Sequence, residues 1–221
     1  YYVEHWVNFI TALDGSTLPA GGLVDLSDTP YAFAPEKTRE ITYLFIQDIW
    51  SLSRDWELTA GARVDNYSDF GSSINPRLAL VWQSSPKLTT KLMAGQAFRA
   101  PSYQELFADT SRSLHNEELD AERSHTVDLS FSYAASNKLQ LGVNLYNFVQ
   151  TEIIQRTDVG LPIKQYNNTG DHSINGLEME ARWQALDKLK IAANYTRRDQ
   201  KNNEYRYYQL ADQEAYARID W

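Results

Sequence analysis

Apolar and polar residues alternate one for one along most of this 221-residue chain, in blocks separated by breaks of unequal length. Around residues 55–66 the even positions Trp56, Leu58, Ala60, Ala62 and Val64 are apolar, while Asp55, Glu57, Thr59, Arg63 and Asp65 occupy the odd ones. The division recurs with Leu78, Leu80 and Trp82 against Asn75 and Arg77, and with Val127, Leu129, Phe131 and Tyr133 against Thr126, Asp128, Ser130 and Ser132. It returns with Leu177, Met179, Ala181 and Trp183 against Glu178, Glu180 and Arg182, and closes with Ala215, Ala217 and Ile219 against Glu214, Arg218 and Asp220. A period of two belongs to a β-strand whose faces meet different surroundings. The blocks predict ten strands, over 1–10, 40–50, 55–66, 75–83, 88–99, 124–134, 138–152, 173–184, 188–199 and 212–221.

A soluble two-sheet sandwich alternates in the same way, so the connections decide between the two. They run long, short, intermediate, short, long: residues 11–39, 51–54, 67–74, 84–87 and 100–123. The sorting continues through 135–137, 153–172, 185–187 and 200–211. Short turns on one side and long loops on the other are the habit of an outer-membrane barrel. Trp56, Trp82 and Trp183 stand close to short turns and on the apolar phase, where an interfacial aromatic belt belongs. The expected architecture is therefore all-β: an antiparallel meander of about ten strands, curved as an open trough, forming part of a large transmembrane β-barrel.

Composition removes some alternatives. Mean hydropathy is -0.52, and no apolar run approaches the ~20 residues of a membrane helix. The net charge of -8 argues against nucleic acid as a partner. Cysteine is absent, which suits folding through an oxidising compartment. His5, His115, His125 and His172 are too scattered for a sequence-local zinc site, and no cofactor is implied. Charges on the polar phase, among them Arg63, Arg77, Lys91, Arg182 and Arg218, would each cost about 2–4 kcal/mol against lipid at the bilayer midplane, so that phase is expected to face a lumen.

One segment carries a family likeness. Phe98-Arg99-Ala100-Pro101 ends a predicted strand, and Asn116, Leu119 and Glu122 follow in an Asn-x-x-Leu-x-x-Glu run. This bracketed loop resembles that of the TonB-dependent outer-membrane receptors, which import ferric siderophores, haem or cobalamin. Glu117 and Ala121 replace the prolines commoner in the second motif. A further likeness runs from Tyr166-Asn167-Asn168-Thr169-Gly170 to Gly176-Leu177-Glu178. The resemblance implies a plugged barrel of about 22 strands, of which residues 1–221 would be one portion. It also implies a plug elsewhere that contacts TonB, a lipid bilayer around the wall, a ferric siderophore or similar small ligand, and a Gram-negative outer membrane.

Chemistry would then be binding, not catalysis. Pro101 ends a strand by fixing its own φ and holding Ala100 extended. Arg99 has three candidate partners: a plug carboxylate, a loop carboxylate or an anionic ligand. Ligand candidates are Arg112 and His115 in the first long loop, Tyr146 and Phe148 on the upper inner face, and Arg156 and Tyr166 in the next loop. Around the last loop they are Arg197, Arg198, Tyr205, Arg206, Tyr207 and Tyr208. Arginines and aromatic rings suit an anionic, partly aromatic iron chelate. His115 reads either as a solvated loop residue or, by the resemblance, as an axial ligand to haem. An outer-membrane enzyme built on Asp65, Asp69, Asp109 and His115 is the reading from a different class.

Overall fold

The computed structural model describes residues 36–110, 112–161, 163–203 and 210–221. The strand expected over 1–10 and most of the last outer loop, with Tyr205, Arg206, Tyr207 and Tyr208, lie outside the described residues.

Nine long strands form one antiparallel meander: β1 (Ile41–Ser53), β2 (Trp56–Tyr67), β3 (Gly71–Ser85), β4 (Leu88–Arg99), β6 (Glu122–Ser136), β7 (Leu139–Thr157), β8 (Lys164–Leu186), β9 (Leu189–Asn203) and β10 (Gln213–Asp220). A single-turn helix α1 (Tyr103–Phe107) and a two-residue strand β5 (Ser113–Leu114) lie in the connection from β4 to β6, and β5 adds in parallel to β8. The sheet does not close: β1 and β10 each pair with one neighbour among the described residues. No described helix is long and apolar enough to cross a membrane, which says nothing of crossing by strands.

Register settles the two faces. Trp56 stands opposite Trp82, Leu58 opposite Leu80, and Leu80 opposite Leu92. The same face continues through Leu129, Leu145 and Leu177. Glu57, Arg77, Asp128, Glu178 and Arg182 lie on the other face, because opposed residues of a sheet share a side. The rings of Trp56 and Trp82 stack with centroids 5.0 Å apart, one pair above the short turns.

Those turns share a device. Ser53, Ser85 and Ser136 each open a short turn, and each hydroxyl accepts an N–H two residues on, from Asp55, Lys87 and Lys138. Ser85 also accepts the Leu88 N–H at 3.1 Å. Hydroxyls that bond the backbone in this way stabilise tight turns locally. These three turns, and the β8–β9 turn that lacks the serine, are each preceded by a one-residue register shift, between Ser51 and Ser53, Gln83 and Ser85, Ala134 and Ser136, and Gln184 and Leu186.

On the opposite side the strands run farther than alternation foretells. β3 begins at Gly71, closing the expected 67–74 connection to three residues, with Gly71 at φ +100°. β7 reaches Thr157 and β8 starts at Lys164, so the expected 153–172 loop is mostly paired sheet. Pairing there continues with polar residues on both faces, and the period that marks a membrane strand vanishes. Pro76, lacking an N–H, stands where the β3–β4 ladder ends at Arg77 and Gly95, and the Gln96 amide donates to the Ile74 carbonyl beyond it.

Candidate ligand-facing loop and wall

Residues 100–121 fold back over the polar face at the end away from the short turns. Ser102 starts α1 with a reciprocal cap: its hydroxyl accepts the Glu105 N–H, and the Glu105 carboxylate accepts the Ser102 N–H at 2.7 Å. Leu106 and Leu119 are buried and pack on Ile154 of β7, with Phe107 and Tyr166 at the margin. Pro101 is fully buried as well.

Arg99 ties this loop to the sheet. Its guanidinium donates to Glu105 at 3.0 Å and to Glu122 at 2.7 Å. Glu122 also accepts the Gln150 amide and the buried Ile154 N–H at 2.9 Å. That N–H is free because β7 bulges between Gln150 and Ile153, with Glu152 at φ +56°. Burial pushes the Glu105 carboxyl up, but the bonds from Arg99 and from Ser102 outweigh it and hold it below the ordinary glutamate value. The Arg99 guanidinium is raised above its ordinary value, chiefly by its bond to Glu122. Of its three possible partners, Arg99 takes loop and strand carboxylates.

The second motif is also scaffolding. The Asn116 amide donates to the Tyr166 carbonyl at 3.1 Å and to the Asn167 side chain at 3.2 Å, while its oxygen accepts the Glu118 N–H. Asn168 exchanges bonds with the Asp120 backbone and reaches the Glu152 carbonyl inside the bulge. The Tyr-x-Asn stretch and the Asn-x-x-Leu run are thus two halves of one joint.

Arg39 is a joint that alternation did not reveal. It donates to Asp69 at 2.7 Å and to the Pro101 carbonyl at 2.8 Å, and it sits over the rings of Tyr103, Phe70 and Tyr67 at 4.9, 5.5 and 5.6 Å. The contacts join the entry to β1, the β2–β3 turn and the outer loop. Its position ahead of a strand, with partners 30 and 62 residues away, leaves no local sequence signal.

The remaining candidates separate. Tyr146 and Phe148 share the polar face with Thr126, Asp128 and Ile174 around a shallow hollow of about 300 Å³. Tyr146 lies across Gly176, where a Cβ would come within 2.1 Å of the ring. Arg112 and Arg156 are exposed and make no ion pair among the described residues. His115 is engaged: Nδ1 is 2.7 Å from Asp109, and Nε2 is 4.0 Å from Glu117. Tyr166 packs under the loop instead of projecting from it.

Arg197 and Arg198 fall on opposite faces. Arg197 stands opposite Leu177 and Gln213, on the apolar-face register, whereas Arg198 stands opposite Gly176 on the polar face and is 3.5 Å from Glu214. Neighbouring residues of a strand point to opposite sides, so only one of the pair can join the wall of Tyr146. Asp65 and Asp69 are committed to Arg63 and Arg39.

The family model described as TonB dependent receptor-like, beta-barrel, matches residues 5–221. The iron-regulated outer membrane virulence protein of Vibrio cholerae is 30% identical over 109 residues, covering 47% of this chain and 17% of its own length. The vitamin B12 transporter BtuB of the same organism is 27% identical over 182 residues, covering 80% and 28%. The crystal structure of the siderophore receptor PirA from Pseudomonas aeruginosa superposes with a TM-score of 0.70 and 26% identity, over 76% of this chain and 34% of that one. The chain thus spans 17% to 28% of the length of these two curated relatives.

Proposed function

The chain belongs to the TonB-dependent receptor family, as a stretch of its β-barrel, and on that premise we propose that it forms part of the wall of an outer-membrane importer for a ferric siderophore. The observation that carries this reading is the division of the sheet. One face is apolar with stacked tryptophans beside the short turns, and the other is polar, charged and roofed at its far end by a folded loop. An apolar face turned to lipid satisfies the bilayer, and the polar face then lines a lumen. The proposed division of labour places a plug, supplied by other residues of the receptor, inside that lumen, and TonB draws on the plug to admit the cargo.

Cargo chemistry follows from what the rim leaves free. Arg99 and Arg39 are occupied by carboxylates, whereas Arg112 and Arg156 make no ion pair among the described residues, and Tyr146 and Phe148 offer aromatic surface on the polar face. Free guanidinium groups together with aromatic surface favour a negatively charged, ring-bearing iron chelate. Cobalamin is the second reading, favoured by the extent of the match to the vitamin B12 transporter. For haem, His115 would offer Nε2, with Nδ1 held by Asp109. An enzyme is disfavoured by the commitment of Asp65 and Asp69 to arginines.

The test is uptake by cells whose sole receptor is the intact protein, supplied in turn with ferric catecholate, haem and cobalamin. Growth on the ferric catecholate that requires TonB is the expected result. Uptake of cobalamin alone would replace the cargo, and uptake of none would remove the importer reading.

A further inference from the structure

We propose that Arg197 binds the phosphate of an outer-leaflet lipid, on the lipid-facing side of the sheet, in a notch of donors completed by the side-chain amides of Asn175 and Gln213. Arg197 stands opposite Leu177 on β8 and Gln213 on β10, on the apolar-face register, so the lumen wall leaves it unused. Below it on the same face come Tyr195 opposite Met179, Ala193 opposite Ala181, and Ile191 opposite Trp183 near the short turn. Counted from Leu189, Arg197 is the ninth residue of β9, and a tilted strand crosses the hydrocarbon in about 9–11 residues. The guanidinium therefore lies at the outer boundary of the apolar band, where an arginine is tolerated as it is not at the midplane.

Two neighbours make this boundary selective for an anion. The Asn175 side-chain oxygen accepts the Asn147 amide at 2.9 Å, and the Gln213 side-chain oxygen accepts the Tyr195 hydroxyl at 3.2 Å. With both acceptor ends engaged on the sheet, the amide nitrogens of Asn175 and Gln213 are left to donate, one from each strand beside Arg197. A guanidinium between two donors matches a phosphate, whose oxygens only accept and which takes the planar fork in a bidentate pair. Asp199 follows on the same face, one carboxylate between the cations Arg197 and Lys201, and no ion pair engages any of the three among the described residues. The patch keeps a positive balance.

What lies beneath fixes the source of the anion. Leu177, Met179 and Tyr195 continue the apolar face without a break up to Arg197, so acyl chains cover them and the group delivered to the guanidinium is the headgroup those chains carry. A free phosphate has nothing to gain from that apolar surface. A phosphorylated sugar headgroup brings phosphate oxygens for Arg197 and further oxygens for the two amides, while its chains lie on the band below.

The inference rests on the barrel reading above, but its test counts bound lipid and leaves the lumen untouched. The intact receptor, purified in a neutral detergent, is offered lipid A with its phosphates, the same lipid with the phosphates removed, and inorganic phosphate, and the lipid retained is counted by native mass spectrometry. Retention of the phosphorylated lipid several-fold above the dephosphorylated one is expected, and millimolar inorganic phosphate should not displace it. Arg197→Gln should lower that retention several-fold and Asp199→Asn should raise it. Lys190→Gln, on the opposite face of the same strand, should leave it unchanged. Unchanged retention in Arg197→Gln, or an equal loss in Lys190→Gln, would overturn the role of Arg197. Equal retention of the two lipids would overturn the phosphate, and displacement by inorganic phosphate would overturn the lipid as its source. Uptake by the same variants reports separately on the importer: growth on ferric catecholate without lipid retention removes this site alone, and lipid retention without uptake removes the importer alone.

Discussion

Removing the Arg99 guanidinium would leave Glu122, whose side chain is 8% exposed, with two neutral donors and no counter-charge. Loss of a charged hydrogen-bond partner from a nearly buried carboxylate costs about 1.5–3 kcal/mol. Arg99→Ala is therefore expected to loosen residues 100–121 and the β7 bulge together, seen as faster hydrogen exchange at Leu106, Ala108 and Ile154. Ladder amides near the short turns should be unchanged. Adding Glu122→Gln, which keeps an acceptor for Ile154 and removes the stranded charge, should recover most of the protection. Acid provides an independent probe of the same joint. Glu105 has a folded value below its ordinary 4.5, so the unfolded loop binds its proton first as pH falls. The stabilisation is complete above pH 4.5 and disappears as pH drops through the lower folded value. Exchange at Leu106 should rise over that window in the wild type, and Glu105→Gln should flatten the rise.

Within the elements, how much the sequence disclosed depends on what each strand touches. Strands whose two faces meet different surroundings, such as β2 and β6, show a clean alternation, and the expected bounds lie within one or two residues of the observed ones at each end. The upper parts of β7 and β8 carry polar residues on both faces, so their pairing left no period and was mistaken for loop. Phe98 to Pro101 and Asn116 to Glu122 were legible as motifs, but their partners Glu105, Ile154 and Asn168 were not, because those contacts depend on how the loop folds back. Arg197 and Arg198 were both candidates for the same reason: in a polar stretch, nothing in the composition indicates which neighbour faces inward. Gly176 is where local chemistry and wall geometry meet. The Tyr146 ring occupies the space that a Cβ would need, and the ring is the movable partner. Gly176→Ala is expected to swing Tyr146 off the wall and reshape the hollow it shares with Phe148, with the sheet intact. Tyrosine fluorescence and ligand affinity should change while the unfolding temperature moves little.

For the whole molecule, the sidedness of the sheet and the charge of its rim are separate claims and call for separate substitutions. Leu80 and Ala79 are neighbours on β3 that point to opposite faces. An arginine at Leu80 would meet lipid, at about 2–4 kcal/mol near the midplane, whereas at Ala79 it would enter the polar wall among Lys91 and Glu57. Heat resistance of the assembled barrel should fall for Leu80→Arg and hold for Ala79→Arg; the reverse order would exchange the faces. The rim is tested by charge. Arg112 is exposed and unpaired among the described residues, so its attraction for an anionic chelate acts through solvent and is screened over about 8–10 Å at ordinary ionic strength. Arg112→Glu should weaken binding of a ferric catecholate several-fold at low salt, and the difference from wild type should shrink as salt is added. A neutral cobalamin should bind both forms alike. His115→Ala provides the matching control for haem. Its imidazole is held by Asp109, so the substitution should leave ferric catecholate binding unchanged, whereas loss of a haem Soret shift would identify axial ligation and a different cargo. If Arg112→Glu and His115→Ala both leave every cargo unaffected, the outer loop serves the barrel only as the roof held by Arg99, and recognition belongs to the wall around Tyr146 and Phe148.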